Sequence, residues 1–260
     1  MEFAVGGQRG FAGIGGRAFD PNLPTVVLLH GAGMNHTVWA LQARALAHHG
    51  RNVLAIDFPG HGNSAGPALA TIEDLADWLL RALQALNVSR FRLAGHSMGS
   101  LVALETASRA GAACEALALL GFVPEMRVHP DLLSAARSGA HLASELMVAW
   151  SFKTLTGGNP APGVFMPDAA LRLIEQTPAA SLAADLAACD RYAGAAAAAS
   201  AVRCPVLLLS GAQDRMTPAA KADRFAGNFA QGRSVVLRGC GHMLMVEQPV
   251  MVLDSLYAIL

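Results

Sequence analysis

Residues 91–111, FRLAGHSMGSLVALETASRAG, restrict this chain more than any other stretch. The apolar run from Phe91 to Ala94 reads as a buried strand, and Leu101, Val102, Leu104 and Ala107 then recur at helical spacing. Between them lies Gly95-His96-Ser97-Met98-Gly99. The chain passes from strand through a sharp turn into a helix, with a serine at the apex. A Gly-x-Ser-x-Gly turn in that setting reads as a nucleophile elbow, which holds its serine in a strained backbone conformation. The flanking glycines are needed because a side chain at either position would meet the neighbouring strand or helix. The serine oxygen then stands at a helix N-terminus, where negative charge is stabilised.

The five-residue pattern is not enough by itself. Gly62-Asn63-Ser64-Ala65-Gly66 matches it too, but follows a Pro-Gly-His-Gly loop and runs into Pro67. No strand precedes that match and no helix opens at its serine, so Ser64 reads as a loop residue.

Around the elbow the chain alternates. Residues 1–20 are glycine-rich and predict one or two edge strands. TVVLL (25–29), Asn52 to Ile56, ALALLGFV (116–123) and PVLLLS (205–210) are runs of the kind buried on both faces of a parallel sheet, and Ser234 to Leu237 adds a last strand. Helical spacing covers Trp39 to His49, the segment opened by the Thr71 cap with Asp74 three residues on, and Glu247 to Ile259. Between 124 and 200 the patterns are helical, as in Leu132 to Trp150, interrupted by a Gly/Pro loop at 157–163. The fold class is α/β, a mostly parallel sheet flanked by helices. Residues 1–123 and 201–260 form the core domain, and 124–200 form a helical lid inserted into it. The alanine run at 195–199 reads as a helix end or linker packed closely against the core.

The chain has 260 residues, 53% hydrophobic and 15% charged, enough to bury a large core. With 19 basic and 19 acidic residues and no basic cluster, it has no footprint for nucleic acid. Mean hydropathy is positive, yet no run of about 18 apolar residues would span a membrane. The N-terminal segment carries Glu2 and lacks the apolar core of a secretory signal. Cys114, Cys189, Cys204 and Cys240 are far apart in sequence, which predicts reduced thiols in a cytoplasmic protein.

A serine hydroxyl needs a base within hydrogen-bond reach, and the base needs an orienting group. Of nine histidines, His242 is the best placed, after the last strand and beside a glycine. His96 adjoins the serine but points elsewhere in a sharp turn. His48 and His49 fall on a helix, and His36, His129 and His141 fall in a loop or the lid. Asp214, a short loop after PVLLLS, is the preferred acid, with Glu125 beyond ALALLGFV as its competitor. The order Ser97, Asp214, His242 is a known triad order. The backbone N–H groups of Met98 and Ala32 are the expected oxyanion donors. His30 reads as structural.

HGAG (30–33), DFPGHGNS (57–64), GHSMG (95–99), GAQD (211–214) and CGH (240–242) together resemble the α/β-hydrolase superfamily over essentially the whole chain. The resemblance implies that Ser97 attacks a carbonyl, His242 shuttles the proton, Asp214 holds the imidazole and water releases the acyl-enzyme, with no cofactor or metal. Haloalkane dehalogenases and epoxide hydrolases of this fold use a carboxylate nucleophile, which a serine at 97 excludes. Epoxide hydrolases also use lid tyrosines, and this chain has only Tyr192 and Tyr257. Hydroxynitrile lyases use a lysine near the triad, for which only Lys153 could serve in the lid. The expected activity is hydrolysis of an ester or lactone, perhaps a thioester, of a small-molecule substrate. Leu142, Leu146, Met147, Trp150 and Phe152 favour an apolar acyl group. The alternatives are cofactor-free perhydrolysis, cleavage of a diketone C–C bond, or, outside enzymes, a small-molecule receptor. The oligomeric state is not readable from the sequence.

Overall fold

The computed structural model describes residues 1–153 and 166–260. The Gly/Pro loop at 157–163 lies outside the described residues. Eight strands form one sheet among them: β1 (Glu2–Val5), β2 (Gln8–Gly13), β3 (Thr25–Leu29), β4 (Asn52–Asp57), β5 (Phe91–His96), β6 (Cys114–Leu120), β7 (Val206–Gly211) and β8 (Gly232–Leu237). Their order is β1-β2-β4-β3-β5-β6-β7-β8. The first two are the antiparallel edge expected from residues 1–20, and from β4 onward every pairing is parallel. Every residue of β3, β4 and β7 is buried, as strands covered on both faces must be.

The helices are α1 (Ala40–His48), α2 (Ile72–Ala85), α3 (Met98–Ala110), α4 (Pro130–Ser138), α5 (Leu142–Ser151), α6 (Met166–Glu175), α7 (Ala179–Arg191), α8 (Ala195–Ala201), α9 (Ala219–Phe225), α10 (Leu244–Glu247) and α11 (Pro249–Tyr257). Thr71 caps α2 as predicted, its Oγ1 accepting the Asp74 N–H at 3.0 Å. Helix α3 neighbours both α2 and α8, and α1 neighbours α11. The alanine run is thus a helix of its own, and its methyl-sized side chains let it lie close against α3.

One predicted helix is divided and another starts later than predicted. The pattern from Leu132 to Trp150 becomes α4 and α5, because Gly139 takes a left-handed conformation (φ 68°) that ends α4. The C-terminal helix predicted from Glu247 to Ile259 is α11, which starts at Pro249 because that residue has no N–H to continue α10 and opens a new helix instead.

Helices α4 to α8 all fall between β6 and β7 in the chain. The loops that follow β3, β5, β6, β7 and β8 emerge at one edge, the carboxyl ends of the parallel strands, where open α/β sheets bind their ligands. No helix among the described residues is long and apolar enough to cross a membrane.

Candidate active site

Ser97 sits between β5 and α3 with φ 53° and ψ −121°, a conformation that costs a non-glycine residue about 1–3 kcal/mol. The turn is held by the Ser97 N–H, which donates to the Leu120 carbonyl at 2.9 Å. It can exist only with glycine on both sides. A Cβ at Gly95 would stand 2.0 Å from the Gly99 carbonyl oxygen, and one at Gly99 would stand 2.5 Å from the His30 carbonyl oxygen. Ser97 is 8% exposed, and its Oγ faces the Met126 sulfur at 4.0 Å.

His242 follows β8 in a buried loop. Its Nδ1 donates to Asp214 Oδ2 at 2.8 Å, while Nε2 has no hydrogen-bond partner among the described residues. Burial alone would raise the pKa of Asp214. The charge and hydrogen bond of His242, with hydrogen bonds from Thr217, more than offset this and hold the carboxyl below its usual range. Thr217 contributes twice, its N–H to Oδ1 at 2.8 Å and its Oγ1–H to Oδ2 at 2.6 Å. The backbone around His242 is fixed from three sides. Its N–H donates to the Ser151 carbonyl at the end of α5 at 2.7 Å, its carbonyl accepts from His96 Nε2 at 2.8 Å, and the preceding Gly241 N–H donates to Glu247 at 3.0 Å. His96 is buried and neutral. Burial and the neighbouring His242 lower its pKa to about 3.

The loop after β3 carries Ala32. Among the described residues neither the Ala32 N–H nor the Met98 N–H has an acceptor. The next residue, Gly33, donates its N–H to Asp185 Oδ2 on α7 at 2.8 Å. That carboxylate also meets His61 Nε2 at 2.9 Å, and His61 Nδ1 faces the Pro59 carbonyl at 3.0 Å. Both nitrogens of His61 face acceptors, so both carry protons and the ring is an imidazolium. Burial pushes its pKa down, but the Asp185 charge and hydrogen bond outweigh that and raise it. His30 is the neutral neighbour in this group. Its Nδ1 meets the Gly31 carbonyl at 2.8 Å and its Nε2 accepts from Phe58 N–H at 3.2 Å. Burial, then the charge of His61, bring its pKa to about 4.

Ser97 and His242 open into a cavity of about 370 Å³. Met34, Met126, Leu132, Met147, Trp150 and Leu186 form most of its apolar lining, with Arg127, His129 and Arg215 also lining it. Of the five apolar residues predicted to favour an apolar substrate, Met147 and Trp150 line this cavity. Leu142 does not, being 49% exposed; Leu146 packs against the core, and Phe152 lines a separate cavity. The helical spacing served α5 packing as much as the cavity.

The structure brings Ser97, Asp214, His242, Ala32 and Met98 to one edge of the sheet. It does not bring Glu125 there, an exposed residue with no contact to His242. Ser64 is a loop residue, its Oγ donating to the Asp57 carbonyl and accepting from Phe11 N–H. Tyr192 bonds to Glu105 and Tyr257 to His49. Lys153 is exposed and does not line the cavity. The sequence reading missed Thr217, whose position three residues after Asp214 is the one local signal for it. It also missed His96 as a support for the His242 backbone, and Asp185, which no local pattern marks.

The alpha/beta hydrolase family profile matches residues 26–254, and the chain belongs to that family. Over 234 residues it is 26% identical to (E)-2-((N-methylformamido)methylene)succinate hydrolase of Acinetobacter baylyi, covering 90% of this chain and 89% of that protein. It is 34% identical to 2-succinyl-6-hydroxy-2,4-cyclohexadiene-1-carboxylate synthase of Escherichia coli over 134 residues, about half of each chain (52% and 50%). The enol-lactonase of Burkholderia xenovorans LB400 superposes with a TM-score of 0.85 at 24% identity, covering 99% of this chain and 98% of that one. At that identity the likeness carries the fold.

Proposed function

We propose that this protein is a serine hydrolase that cleaves a carboxylic ester or lactone of a small molecule. Ser97 is the nucleophile, His242 the general base and acid, and Asp214 its orienting partner; the Ala32 and Met98 N–H groups receive the oxyanion. The observation that carries this reading is the state of His242. Asp214 holds its Nδ1, and Nε2 has no hydrogen-bond partner, Ser97 Oγ included, in the cavity that the strained serine also lines. In the first half-reaction Ser97 Oγ attacks the carbonyl carbon as its proton passes to His242 Nε2. The two free N–H groups stabilise the tetrahedral oxyanion. Collapse expels the alkoxide, which takes the proton from His242. Water then attacks the acyl-enzyme, gives a proton to the same nitrogen and releases the acid as Ser97 regains its proton.

The helices α4 to α7, which supply Leu132, Met147, Trp150 and Leu186 to the cavity, are the lid of this site. A hydrolase among the relatives agrees with this reading. The four free cysteines suit a reducing compartment, the cytoplasm.

Labelling with a fluorophosphonate probe, followed by turnover of p-nitrophenyl esters from C2 to C12, tests the assignment with Ser97→Ala as control. Labelling and turnover that both vanish in Ser97→Ala are the expected result. A folded wild-type protein that neither labels nor turns over esters would return the receptor reading.

A further inference from the structure

The side chains around the cavity are unbalanced in charge. Over the whole chain basic and acidic residues are equal, 19 each, yet the cavity lining includes Arg127 and Arg215 and not one Asp or Glu. Among the described residues Arg9, Arg90, Arg92, Arg109 and Arg172 have a carboxylate within ion-pair distance, and the remaining arginines do not. Arg127 and Arg215 have no carboxylate within ion-pair distance among the described residues. The acids nearest in sequence are committed elsewhere or face away. Asp214 is taken by His242 and Thr217, the Asp190 carboxylate accepts the Val128 N–H, and Glu125 is exposed and outside the lining.

Both arginines are exposed, and each is tethered by one hydrogen bond to the lid helices. Arg127 donates one Nη1–H to the Asp190 carbonyl at the end of α7 at 3.0 Å, and Arg215 donates from Nη2 to the Ala149 carbonyl on α5. Each keeps further N–H groups of its five for another acceptor. The two residues reach the cavity from different loops, Arg127 after β6 beside Met126, and Arg215 after β7 directly beyond Asp214. His129 meets Trp150 edge-on, with ring centroids 5.5 Å apart, and both line the cavity. The cavity therefore combines Ser97, an apolar lining of methionine, leucine and tryptophan, and two tethered cations, with no Asp or Glu among its lining residues.

We infer that the substrate carries a second, free carboxylate, recognised by Arg127 and Arg215, so that the enzyme acts on half-esters of dicarboxylic acids or on lactones bearing an acid group. This rests on the hydrolase reading for its chemistry, but the anion site does not depend on turnover. Arginine is the side chain suited to it, since its planar fork can take both oxygens of a carboxylate at once. Arg127 and Arg215 are specificity-determining residues and take no part in bond making.

Two measurements test this. In the first, kcat/KM is compared for the monomethyl esters of glutaric, adipic and pimelic acids and for uncharged methyl pentanoate and methyl hexanoate. At least one half-ester should exceed the uncharged esters. Arg127→Gln or Arg215→Gln should lower the half-ester to neutral-ester ratio by about 10–100-fold, the worth of one charge-assisted hydrogen bond. Arg→Lys should restore part of it, and Arg172→Gln on the exposed face of α6 should leave the ratio alone. In the second, adipate is titrated calorimetrically into Ser97→Ala, which needs no catalysis. Saturable binding that weakens at least tenfold in Arg215→Gln, and weakens with added salt, is expected. A ratio that stays fixed while both kcat/KM values fall together would mean that the arginines only tether α5 and α7, and would overturn the proposal. Ester turnover with no preference for half-esters and no adipate binding overturns it and leaves the hydrolase standing. Adipate binding without turnover of any ester retains the anion site and removes the hydrolase.

Discussion

Two buried histidine–aspartate pairs are alike in distance and unlike in what the second ring nitrogen meets. His242 meets Asp214 at 2.8 Å and His61 meets Asp185 at 2.9 Å, with all four side chains at most 3% exposed. In the first pair one ring nitrogen is left over, and it belongs to the ring that lines the cavity. In the second, the remaining nitrogen is occupied by the Pro59 carbonyl. A ring with a vacant nitrogen can take up and release a proton; a ring with both protons engaged cannot do so without breaking a bond. The second pair instead ties α7 to the loop that presents Ala32, through the Gly33 N–H. On the proposed reading, what would separate a proton carrier from a clamp is the occupancy of the second nitrogen, rather than the strength of the ion pair.

The largest effects should separate the pairs by kinetics. Ser97→Ala or His242→Ala should lower kcat by about 10⁴–10⁶, and Asp214→Asn by about 10⁴, and Ser97→Ala should do so with little change in the denaturation midpoint. If His61→Gln, still folded and as stable as wild type, lost kcat to the same degree, the division between the two pairs would fail.

The next effect is on stability. Asp185→Ala leaves a buried imidazolium with no counter-charge, and breaking such a pair typically costs about 3–5 kcal/mol. Urea denaturation should show it as a large fall in midpoint with an unchanged slope. KM should respond less than kcat, because the Gly31–Gly33 loop bears on the oxyanion and so on the transition state. Equal stability of wild type and Asp185→Ala would show that the pair holds nothing.

Stability should also bend with pH in a direction set by three histidines. His30 and His96 have folded pKa values near 4 and 3, below the unfolded 6.5. Their contribution is full above pH 6.5 and is lost as pH falls toward those values. His61 is raised above 6.5, so its contribution is full below 6.5 and is lost as pH rises through its folded pKa. The stability curve should therefore fall on both sides of neutrality. Replacing His61 with Gln should flatten the alkaline side, and should also soften the acid side, because the charge of His61 is one of the causes that lower His30; thermal melts from pH 5 to 9 follow both.

The contrast between the pairs also marks what a sequence can convey. The elbow, Asp214 and His242 were legible because each follows a recognisable buried strand, and strand ends converge at one sheet edge whatever the loops do. The fold was legible for the same reason, from TVVLL, PVLLLS and the helices between. Asp185 was not, because it lies on an alanine-rich helix far along the chain from His61 and Gly33. Nothing local distinguishes it from a solvated aspartate, and only tertiary packing makes it a clamp. The split of α4 from α5 turned on the backbone of one residue, Gly139, which the apolar periodicity passes over. Arg127 and Arg215 were equally hidden, since an arginine without a partner looks the same in sequence as one with a partner.

A third pair sets the lower end of the scale. His36 Nδ1 meets both oxygens of Asp57 at 2.9 and 3.0 Å, but the histidine side chain is 22% exposed. Asp57 does not depend on that ring. It also accepts the backbone N–H groups of His36 at 2.7 Å and of Asn63 at 2.8 Å, and burial, which raises its pKa, is outweighed by these bonds together with the ring. Removing the imidazole in His36→Ala leaves two donors and admits water to the vacated side. The loss should be that of a single hydrogen bond, about 0.5–1.5 kcal/mol, with kcat unchanged because neither residue lines the Ser97 cavity. Denaturant titration and ester kinetics on the one variant check both halves. A loss as large as that of Asp185→Ala would mean that backbone donors cannot stand in for an imidazole around a buried carboxylate, and the clamp at Asp185 would then owe less to its geometry than to the mere presence of a histidine.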